Sequence, residues 1–288
     1  MKNKQKVIIV GGGTAGWLTA ASIKAAYKKE LNVCLIEPES GEKIGVGEST
    51  LPTILNTLKR INCLDDTFLH EISATFKQGI RFEEWHDQGH HYYHPYDYRA
   101  GPKYQSLTRW LSQANKAKFA NTITPQVDAM NAGLSPFENR HGKLLPKYRY
   151  SLHVDAEKLA EAVKKRWAHR DGINLIYGEI KSCNFEGDEL KKITLISGET
   201  LEADLFIDCT GQKRLLKSET QKYKTYDYLP VDKAIATRPS YSGLEIPSYT
   251  LARATTAGWL WDIPLATRRG VGIVFSSAHM SDDAAYDG

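Results

Sequence analysis

The chain has 288 residues, of which 41% are hydrophobic and 25% charged, a composition typical of a folded globular protein rather than a disordered one. Its net charge of +4 comes from interspersed basic and acidic residues, which argues against nucleic-acid binding. No apolar run approaches the roughly 20 residues of a membrane helix. The four cysteines form no C-x-x-C pair, so neither a zinc site nor a disulfide scaffold is predicted. With a strand starting near Lys6, no signal peptide fits, and we predict a cytoplasmic protein.

The first 37 residues predict a strand, a tight turn, a helix and a second strand. The apolar run Lys6–Val10 is typical of a strand buried on both faces. A glycine-rich turn follows, then a helix to about Lys29 and a second strand over Asn32–Glu37. This order is that of a βαβ unit.

The turn carries the G-x-G-x-x-G spacing of a dinucleotide-binding site at Gly11, Gly13 and Gly16. With Thr14 and Ala15 it opens the helix, whose free N–H groups favour phosphate. Glu37 follows Gly16 by 21 residues, at the end of the second strand, where a carboxylate can accept hydrogen bonds from a ribose. The pattern predicts a dinucleotide site but does not choose between FAD and NAD.

The middle of the chain is less regular. A glycine-rich loop over 38–49 precedes a predicted helix from about Pro52 to Ile61, and residues 75–85 alternate like a strand. Residues 86–147 lack strong periodicity and predict long loops with some helix. A further helix is expected to end near His169.

The last third predicts β-structure. Three strands of a meander are expected at about 173–185, 189–196 and 201–207. A second sheet is expected over Lys233–Arg238, Tyr249–Ala254, Trp259–Pro264 and Gly270–Ser276.

Four segments together resemble the flavin-dependent tryptophan halogenases. They are the turn ending in Gly16-Trp17, the loop Gly45-Val-Gly-Glu-Ser-Thr-Leu-Pro52, Thr75-Phe-Lys77 with Trp85, and the W-x-W-x-I-P signature at Trp259–Pro264. The matches run from residue 7 to about residue 277. Leu205–Gly211 also resembles the second nucleotide-side motif of hydroxylase-type flavoproteins, and this resemblance favours FAD.

The resemblance implies an α/β fold in which a Rossmann-type FAD-binding domain of the flavin hydroxylase type is interleaved with a second, substrate-side β-sheet region. The expected regions are 1–85 for the βαβ unit with the flavin and lysine segments, 86–147 for a loop-rich substrate side, 148–230 for the rest of the FAD-binding domain, and 231–288 for the substrate-side sheet.

The resemblance also implies a reaction. A separate flavin reductase supplies reduced FAD, which with O2 converts a halide ion to hypohalous acid, and a lysine then directs the acid onto an electron-rich aromatic ring. Lys77 matches that lysine. An ammonium can donate a hydrogen bond to hypohalous acid, and a neutral amine can instead form a haloamine. From spacing alone, a strand-edge lysine that reaches solvent is the commoner case.

Further site residues follow from the resemblance. Gly47, Glu48 and Ser49 are expected to contact the flavin, although an exposed loop carboxylate is an alternative for Glu48. Thr210 and Gly211 are expected on the nucleotide side. The residues expected to shield the flavin from organic substrate are Trp259, Trp261, Ile263 and Pro264, and packing in the core is compatible with the same positions.

The sequence leaves the substrate, the oligomeric state and the metal content less well defined. His90, His91 and His94 lie on a Tyr-rich loop and form no i, i+4 pair on a helix, so no metal is predicted. An indole, tryptophan itself and a phenol all fit as substrate, and a homodimer is left open. Family members are longer, and the carboxylate that works with their lysine lies beyond the region matched here, so a truncated chain is expected. The alternative functions are another FAD-dependent monooxygenase or oxidoreductase and an inactive flavin-binding fragment.

Overall fold

The computed structural model describes residues 4–40, 45–99, 106–113, 118–168, 172–222, 224, 226, 228–241 and 245–287. The chain divides into two compact units. The first unit comprises Met1–Gly45, Thr57–Ile72 and Ala156–Tyr226, and the second comprises Val46–Asn56, Ser73–Asp155 and Asp227–Gly288. No helix among the described residues has the length and apolar character needed to cross a membrane.

The strands of the described residues, in chain order, are β1 Lys6–Val10, β2 Asn32–Glu37, β3 Glu48–Ser49, β4 Thr75–Lys77, β5 Gly79–Glu83, β6 His91–Pro95, β7 Phe137–Arg140, β8 Lys143–Pro146, β9 Ser151–Val154, β10 Ile173–Tyr177, β11 Ile180–Glu186, β12 Glu189–Leu195, β13 Thr200–Glu202, β14 Leu205–Asp208, β15 Lys233–Thr237, β16 Tyr249–Thr255, β17 Gly258–Pro264 and β18 Arg269–Phe275. The α-helices are α1 Thr14–Tyr27, α2 Thr53–Arg60, α3 Asp66–Glu71, α4 Leu107–Leu111, α5 Phe119–Ile123, α6 Gln126–Asn131, α7 Ala156–Trp167 and α8 Asp282–Asp287.

The first unit is built on a parallel sheet with the strand order β10-β2-β1-β14. Its central strands are apolar and β-branched, and Ile8 and Ile9 on opposite faces of β1 are both fully buried. Helix α1 packs against β1 and β2. The other side of the sheet forms a core cluster in which Ile8 and Cys34 meet Ile193 of the antiparallel sheet β11-β12-β13. The predicted βαβ unit is therefore present, with both faces of its sheet covered.

The predicted three-stranded meander is wrong in its outer parts. Residues 173–177 and 205–208 belong to the parallel sheet, and the meander consists of β11, β12 and β13 between them. The break after β10 falls at Gly178, whose N–H donates to the carbonyl of Glu37. Apolar runs read the same whether they pair in a parallel or an antiparallel sheet, so the sequence pattern merged two sheets into one.

The second unit is built on a six-stranded sheet with the order β15-β18-β17-β16-β5-β6, in which β16 and β5 are parallel. The four strands predicted after residue 231 form β15 to β18. The predicted strand over 75–85 is two strands, because Gln78 donates its N–H to Ser248 and separates β4 from β5. Strand β4 joins the small sheet β3-β9-β4 instead.

The stretch predicted as loops with some helix holds strands β6, β7 and β8 and three short helices, α4 to α6, among its described residues. Helix α7 is described as far as Trp167. The predicted helix end near His169 lies outside the described residues.

Candidate functional site

The glycine turn of the first unit requires glycine at two of its three fingerprint positions. Gly11 has φ = 115°, and a Cβ there would lie 2.3 Å from the carbonyl oxygen of Cys209. A Cβ on Gly16 would lie 1.8 Å from the carbonyl oxygen of Gly11. A Cβ on Gly13 would meet no atom within 4 Å. The first and third glycines thus allow close backbone packing, and the second faces open space.

Helix α1 starts at Thr14, directly after this open position. Its N-cap, Gly13, forms no side-chain capping hydrogen bond. The Thr14 hydroxyl donates to the carbonyl of Ala156, and Ala15 is exposed. The helix therefore presents its N-terminal N–H groups beside open space, an arrangement that suits a phosphate group.

Glu37 closes the same edge of the sheet and is 7% exposed. Its Oε2 accepts a hydrogen bond from Trp17 Nε1 at 3.1 Å, and its Oε1 accepts one from Lys164 Nζ at 2.5 Å. A Cβ on Gly12 would lie 2.0 Å from Oε2, so the carboxylate packs directly on the turn. Each oxygen has a further lone pair with which to accept a ribose hydroxyl.

The basic cluster that precedes the end of α7 is paired with carboxylates. Lys164 bonds to Glu37, Lys165 to Glu71 at 3.0 Å, and Arg166 to Asp65. The hydrogen bond from Arg166 is the main reason that the pKa of Asp65 falls to about 2. The sequence favours an unpaired, solvated face here, because carboxylates from distant parts of the chain give no local signal.

Thr210 and Gly211 follow β14, which ends beside β1. The Thr210 N–H and hydroxyl both donate to Asp208 Oδ1, at 2.9 and 2.6 Å. Gly211 has φ = 61°, and a Cβ there would meet no atom within 4 Å. Thr210 therefore shapes the turn, and Gly211 is the member of this pair that faces open space.

These features fit a bound dinucleotide. Within the first unit, the close-packed glycine turn, the uncapped helix start, the carboxylate of Glu37 and the open position at Gly211 lie at the carboxyl ends of parallel strands. That is where open α/β sheets bind such ligands.

In the second unit, Lys77 is buried, with 2% of its surface exposed. Its Nζ donates to the carbonyl of Thr50 at 3.1 Å and lies 5.1 Å from the centroid of the Tyr96 ring. Tyr96 donates its hydroxyl to the same carbonyl at 3.0 Å. The structure contradicts the alternative of a strand-edge lysine that reaches solvent.

Among the described residues, no carboxylate forms a salt bridge with Lys77. Burial lowers the pKa of Lys77 from its ordinary value near 10.5 to about 8. The ammonium is still the main form at neutral pH, but it sits in a weakly solvated site with one carbonyl and one aromatic face. Such a cation is a strong hydrogen-bond donor toward an added ligand.

The small sheet explains which side chains share a face with Lys77. Lys77 lies opposite Ser151, and His153 lies opposite both Thr75 and Ser49. Residues directly opposite in a sheet share a face, as do residues two apart on a strand. One face of the small sheet is therefore polar, and Phe76 and Leu152 lie on the other.

Gly47 of the second unit packs against the β17–β18 hairpin, whereas Glu48 and Ser49 form β3 of the small sheet. Gly47 is buried with φ = 126°, and Arg268 donates from Nη1 to the carbonyl of Val46 at 2.7 Å. Glu48 is exposed, in agreement with the alternative prediction of an exposed loop carboxylate, although partial burial raises the pKa of its carboxyl group. Ser49 is half-buried, and its hydroxyl bonds to Thr250 at 2.6 Å.

The W-x-W-x-I-P segment forms β17. Trp259 and Trp261 are half-buried, and a Cβ on Gly272 would lie 2.2 Å from the Trp261 ring, so this ring packs against the backbone of β18. Ile263 and Pro264 are buried. The tryptophans therefore serve in packing, and their role in shielding a flavin stays a prediction.

A surface depression of about 280 Å³ lies in the second unit, lined in part by Pro52, Asn56, Tyr148 and Tyr150. His90, His91 and His94 lie at or in β6, and no group of three or more metal-ligating side chains is placed to hold a metal among the described residues. His91 Nε2 lies 3.1 Å from Lys118 Nζ.

Sequence reasoning missed Gly12 and Lys164 in the first unit, and Thr50, Tyr96 and His153 in the second. The polar–apolar alternation of Ser151-Leu-His-Val154 is the signal that predicts β9 and its polar face. No local sequence pattern identifies the other four residues, because their partners lie 19 to 127 residues away along the chain.

Comparison with known proteins adds to this geometry. A family model described as tryptophan halogenase matches residues 6–288. The tryptophan 6-halogenase SttH of Streptomyces toxytricini is 30% identical, and the match covers 99% of this chain and 60% of SttH. The 7-chloro-L-tryptophan 6-halogenase KtzR of Kutzneria sp. (strain 744) is 31% identical, with 97% and 59% covered. The chain thus spans about three fifths of the length of these relatives.

Solved structures agree. A tryptophan halogenase from Shewanella frigidimarina NCIMB 400 is 32% identical with a TM-score of 0.89, and the match covers 99% of this chain and 58% of that one. BrvH, a flavin-dependent halogenase from Brevundimonas sp. BAL3, is 32% identical with a TM-score of 0.86, with 99% and 59% covered. The predicted α/β, Rossmann-type fold is confirmed, and the chain belongs to the tryptophan halogenase family.

Proposed function

We propose that this protein is a flavin-dependent halogenase that acts on an electron-rich aromatic ring of the indole or tryptophan class. The observation that carries the proposal is the burial of Lys77, with no carboxylate partner among the described residues, in a chain of the tryptophan halogenase family. FAD, used as FADH2, is the proposed cofactor. A separate flavin reductase is the proposed transient partner, and the cytoplasm is the proposed location.

The first unit supplies the proposed nucleotide site. The N–H groups at the start of α1, with the turn Gly11–Gly16, bind the pyrophosphate, and Glu37 accepts ribose hydroxyls. Thr210 holds the neighbouring turn so that Gly211 leaves room for the cofactor. When bound, reduced FAD (FADH2) supplies two electrons and two protons, so that O2, a halide ion and one further proton yield hypohalous acid and water.

The second unit supplies the proposed flavin loop and the reactive lysine. Gly47, Glu48 and Ser49 face the flavin, and Trp259, Trp261, Ile263 and Pro264 keep organic substrate away from it. The ammonium of Lys77 donates a hydrogen bond to the oxygen of hypohalous acid. The halogen becomes more electrophilic, and the aromatic ring bonds to it as the halogen–oxygen bond breaks. The oxygen takes a proton from the Lys77 ammonium and leaves as water, and the halogenated ring carbon then releases its own proton, which balances the proton taken up.

The pKa of about 8 favours the ammonium over the amine in this step. At pH 7 a group with this pKa is about 90% protonated. The alternative in which a neutral amine forms a haloamine would use the minor form of Lys77. The two mechanisms predict opposite pH dependences, which makes them separable.

The test is a mass-spectrometric assay with FAD, a flavin reductase, NADH and bromide, run against indoles, tryptophan and phenols. It uses the longest form of the protein that its gene encodes. We expect a monobrominated product that shows bromine's paired isotopes and that is absent when Lys77→Met replaces the wild type. Equal bromination by Lys77→Met would remove Lys77 from the mechanism, and a blank from a wild-type protein that binds FAD would contradict the proposed activity.

A further inference from the structure

Five polar groups of the second unit form a continuous chain of hydrogen bonds centred on a buried histidine. The Ser49 hydroxyl lies 2.6 Å from the Thr250 hydroxyl, which lies 2.9 Å from His153 Nε2. His153 Nδ1 lies 3.0 Å from the Thr75 hydroxyl, which lies 2.5 Å from the carbonyl oxygen of Pro264. His153 has no exposed surface.

The last link fixes the direction of the whole chain. A carbonyl oxygen can only accept, so the single hydroxyl proton of Thr75 must point at Pro264. Thr75 then has only lone pairs to offer His153, and the proton between them must be on Nδ1. In a neutral ring His153 Nε2 is then the acceptor, so Thr250 donates to it and Ser49 donates to Thr250.

We infer that His153 is a neutral Nδ1–H histidine whose two fixed hydrogen bonds position the lysine strand against the flavin loop, making it a positioning residue for Lys77. Its role for Lys77 rests on the proposed function, whereas its tautomer does not. The imidazole bonds directly to Thr75 of β4, the strand that carries Lys77, and to Thr250 of β16. Through these two hydroxyls it is linked to Ser49 in β3 of the flavin loop and to Pro264 at the end of the W-x-W-x-I-P strand.

Two properties support positioning rather than proton transfer. The chain ends on a proline carbonyl, which has no proton to pass on and nowhere to release one. Burial, and secondarily the charge of Lys77, lower the pKa of His153 well below its ordinary value. A histidine held neutral beside a buried ammonium adds no second positive charge to the site, while its hydrogen bonds order both neighbouring strands.

The direction of the chain also limits what Ser49 can do. Its hydroxyl proton is used toward Thr250, so the oxygen has only lone pairs left for a cofactor. Ser49 can therefore contact a bound flavin through its hydroxyl as an acceptor, and any donor from this residue must be its backbone N–H.

The first test is the tautomer of His153, read from long-range ¹H–¹⁵N NMR spectra of ¹⁵N-histidine-labelled protein without flavin and assigned with His153→Asn. Wild type should show Nδ1–H. Thr75→Val removes the acceptor for Nδ1–H and should switch the ring to Nε2–H, which can donate to Thr250. The matched variant Thr250→Val should keep Nδ1–H. An Nε2–H or doubly protonated ring in wild type, or an unchanged ring in Thr75→Val, would overturn the inference.

The second test asks whether His153 acts on Lys77. The pKa of Lys77 is followed by ¹³C NMR at its Cε in wild type, His153→Phe and His153→Asn, with folding checked by circular dichroism. His153→Phe leaves the Thr75 and Thr250 hydroxyls without their imidazole partner, so water should enter to bond with them, hydrate Lys77 and raise its pKa from about 8 toward 10.5. His153→Asn keeps the Nδ1-side donor to Thr75 and should shift the pKa less.

An unchanged Lys77 pKa in folded His153→Phe would refute the positioning role. Both measurements need neither flavin nor turnover, so a failed halogenation assay would leave them standing. Conversely, a wrong tautomer would leave the proposed halogenase activity intact.

Discussion

The glycine turn of the first unit is built from backbone, whereas the lysine site of the second unit is built from side chains. Gly11, Gly16 and the start of α1 lie within six residues of one another and create a binding edge with N–H groups and open space. Lys77 contacts Thr50 and Tyr96, which come from separate segments, and His153 lies on the same face of the small sheet. At a site built from contiguous backbone, a substitution acts mainly through the space that its added atoms need. At a site built from dispersed side chains, a substitution acts mainly through the charge or hydrogen bond that it removes.

The largest expected effect comes from Lys77→Met, which keeps most of the buried stem and removes the charge. Halogenation should fall by about a thousandfold, a typical loss for a proton-donating group. FAD affinity should be unchanged, because Lys77 is not among the residues proposed to contact FAD. Steady-state product formation measures halogenation, and fluorescence titration measures FAD affinity. A parallel loss of FAD binding would contradict the separation of the lysine site from the nucleotide site.

Gly16→Ala should destabilise the protein by about 3 kcal/mol, because its Cβ would press on the carbonyl oxygen of Gly11. Gly13→Ala is the matched control. Its Cβ meets open space, so the free energy of unfolding should fall by less than about 1 kcal/mol while FAD binding weakens. Urea unfolding of both variants checks this, and equal stabilities would show that the turn is not close-packed.

Lys164→Met leaves the buried carboxylate of Glu37 without its ion-pair partner. We expect a loss of about 1–2 kcal/mol in stability, below that of a fully buried pair, because Lys164 is 22% exposed. FAD affinity should fall as well, since Glu37 is proposed to hold the ribose. Lys165→Met, at the more exposed pair with Glu71, should change neither quantity measurably. Similar changes in stability and FAD affinity in Lys164→Met and Lys165→Met would show that the Lys164–Glu37 pair contributes no more than the Lys165–Glu71 pair.

The smallest effect concerns pH. The pKa of Lys77 is lowered to about 8, so the ammonium is fully present well below pH 8 and is lost as the pH rises through that value. If the ammonium is the donor, the halogenation rate should be roughly halved near pH 8 and fall about tenfold per pH unit above it. The pH profile of kcat, with the reductase supplied in excess, measures this. A rate that rises through pH 8 would favour the haloamine route.

The amount that the sequence can predict differs between the two regions. The βαβ order, the G-x-G-x-x-G turn and the position of Glu37 were predicted correctly because they depend on periodicity and glycine spacing within a short stretch. The meander was partly wrong, because an apolar run does not reveal which sheet it joins. Lys77 was singled out by resemblance alone, since a lysine on a strand has no pattern that distinguishes burial from exposure.

By itself, the sequence determined the class of fold, the glycine turn at the edge of the parallel sheet and the family, because local spacing and short motifs carry that information. Only the tertiary structure decided that Lys77 is buried without a carboxylate partner among the described residues, that Lys164 neutralises Glu37, and that His153 joins Ser49, Thr75 and Thr250. These facts depend on strand register and on partners far apart in the chain. Burial sets a pKa, and an acceptor such as the carbonyl of Pro264 sets a tautomer, only when folding has brought the groups together.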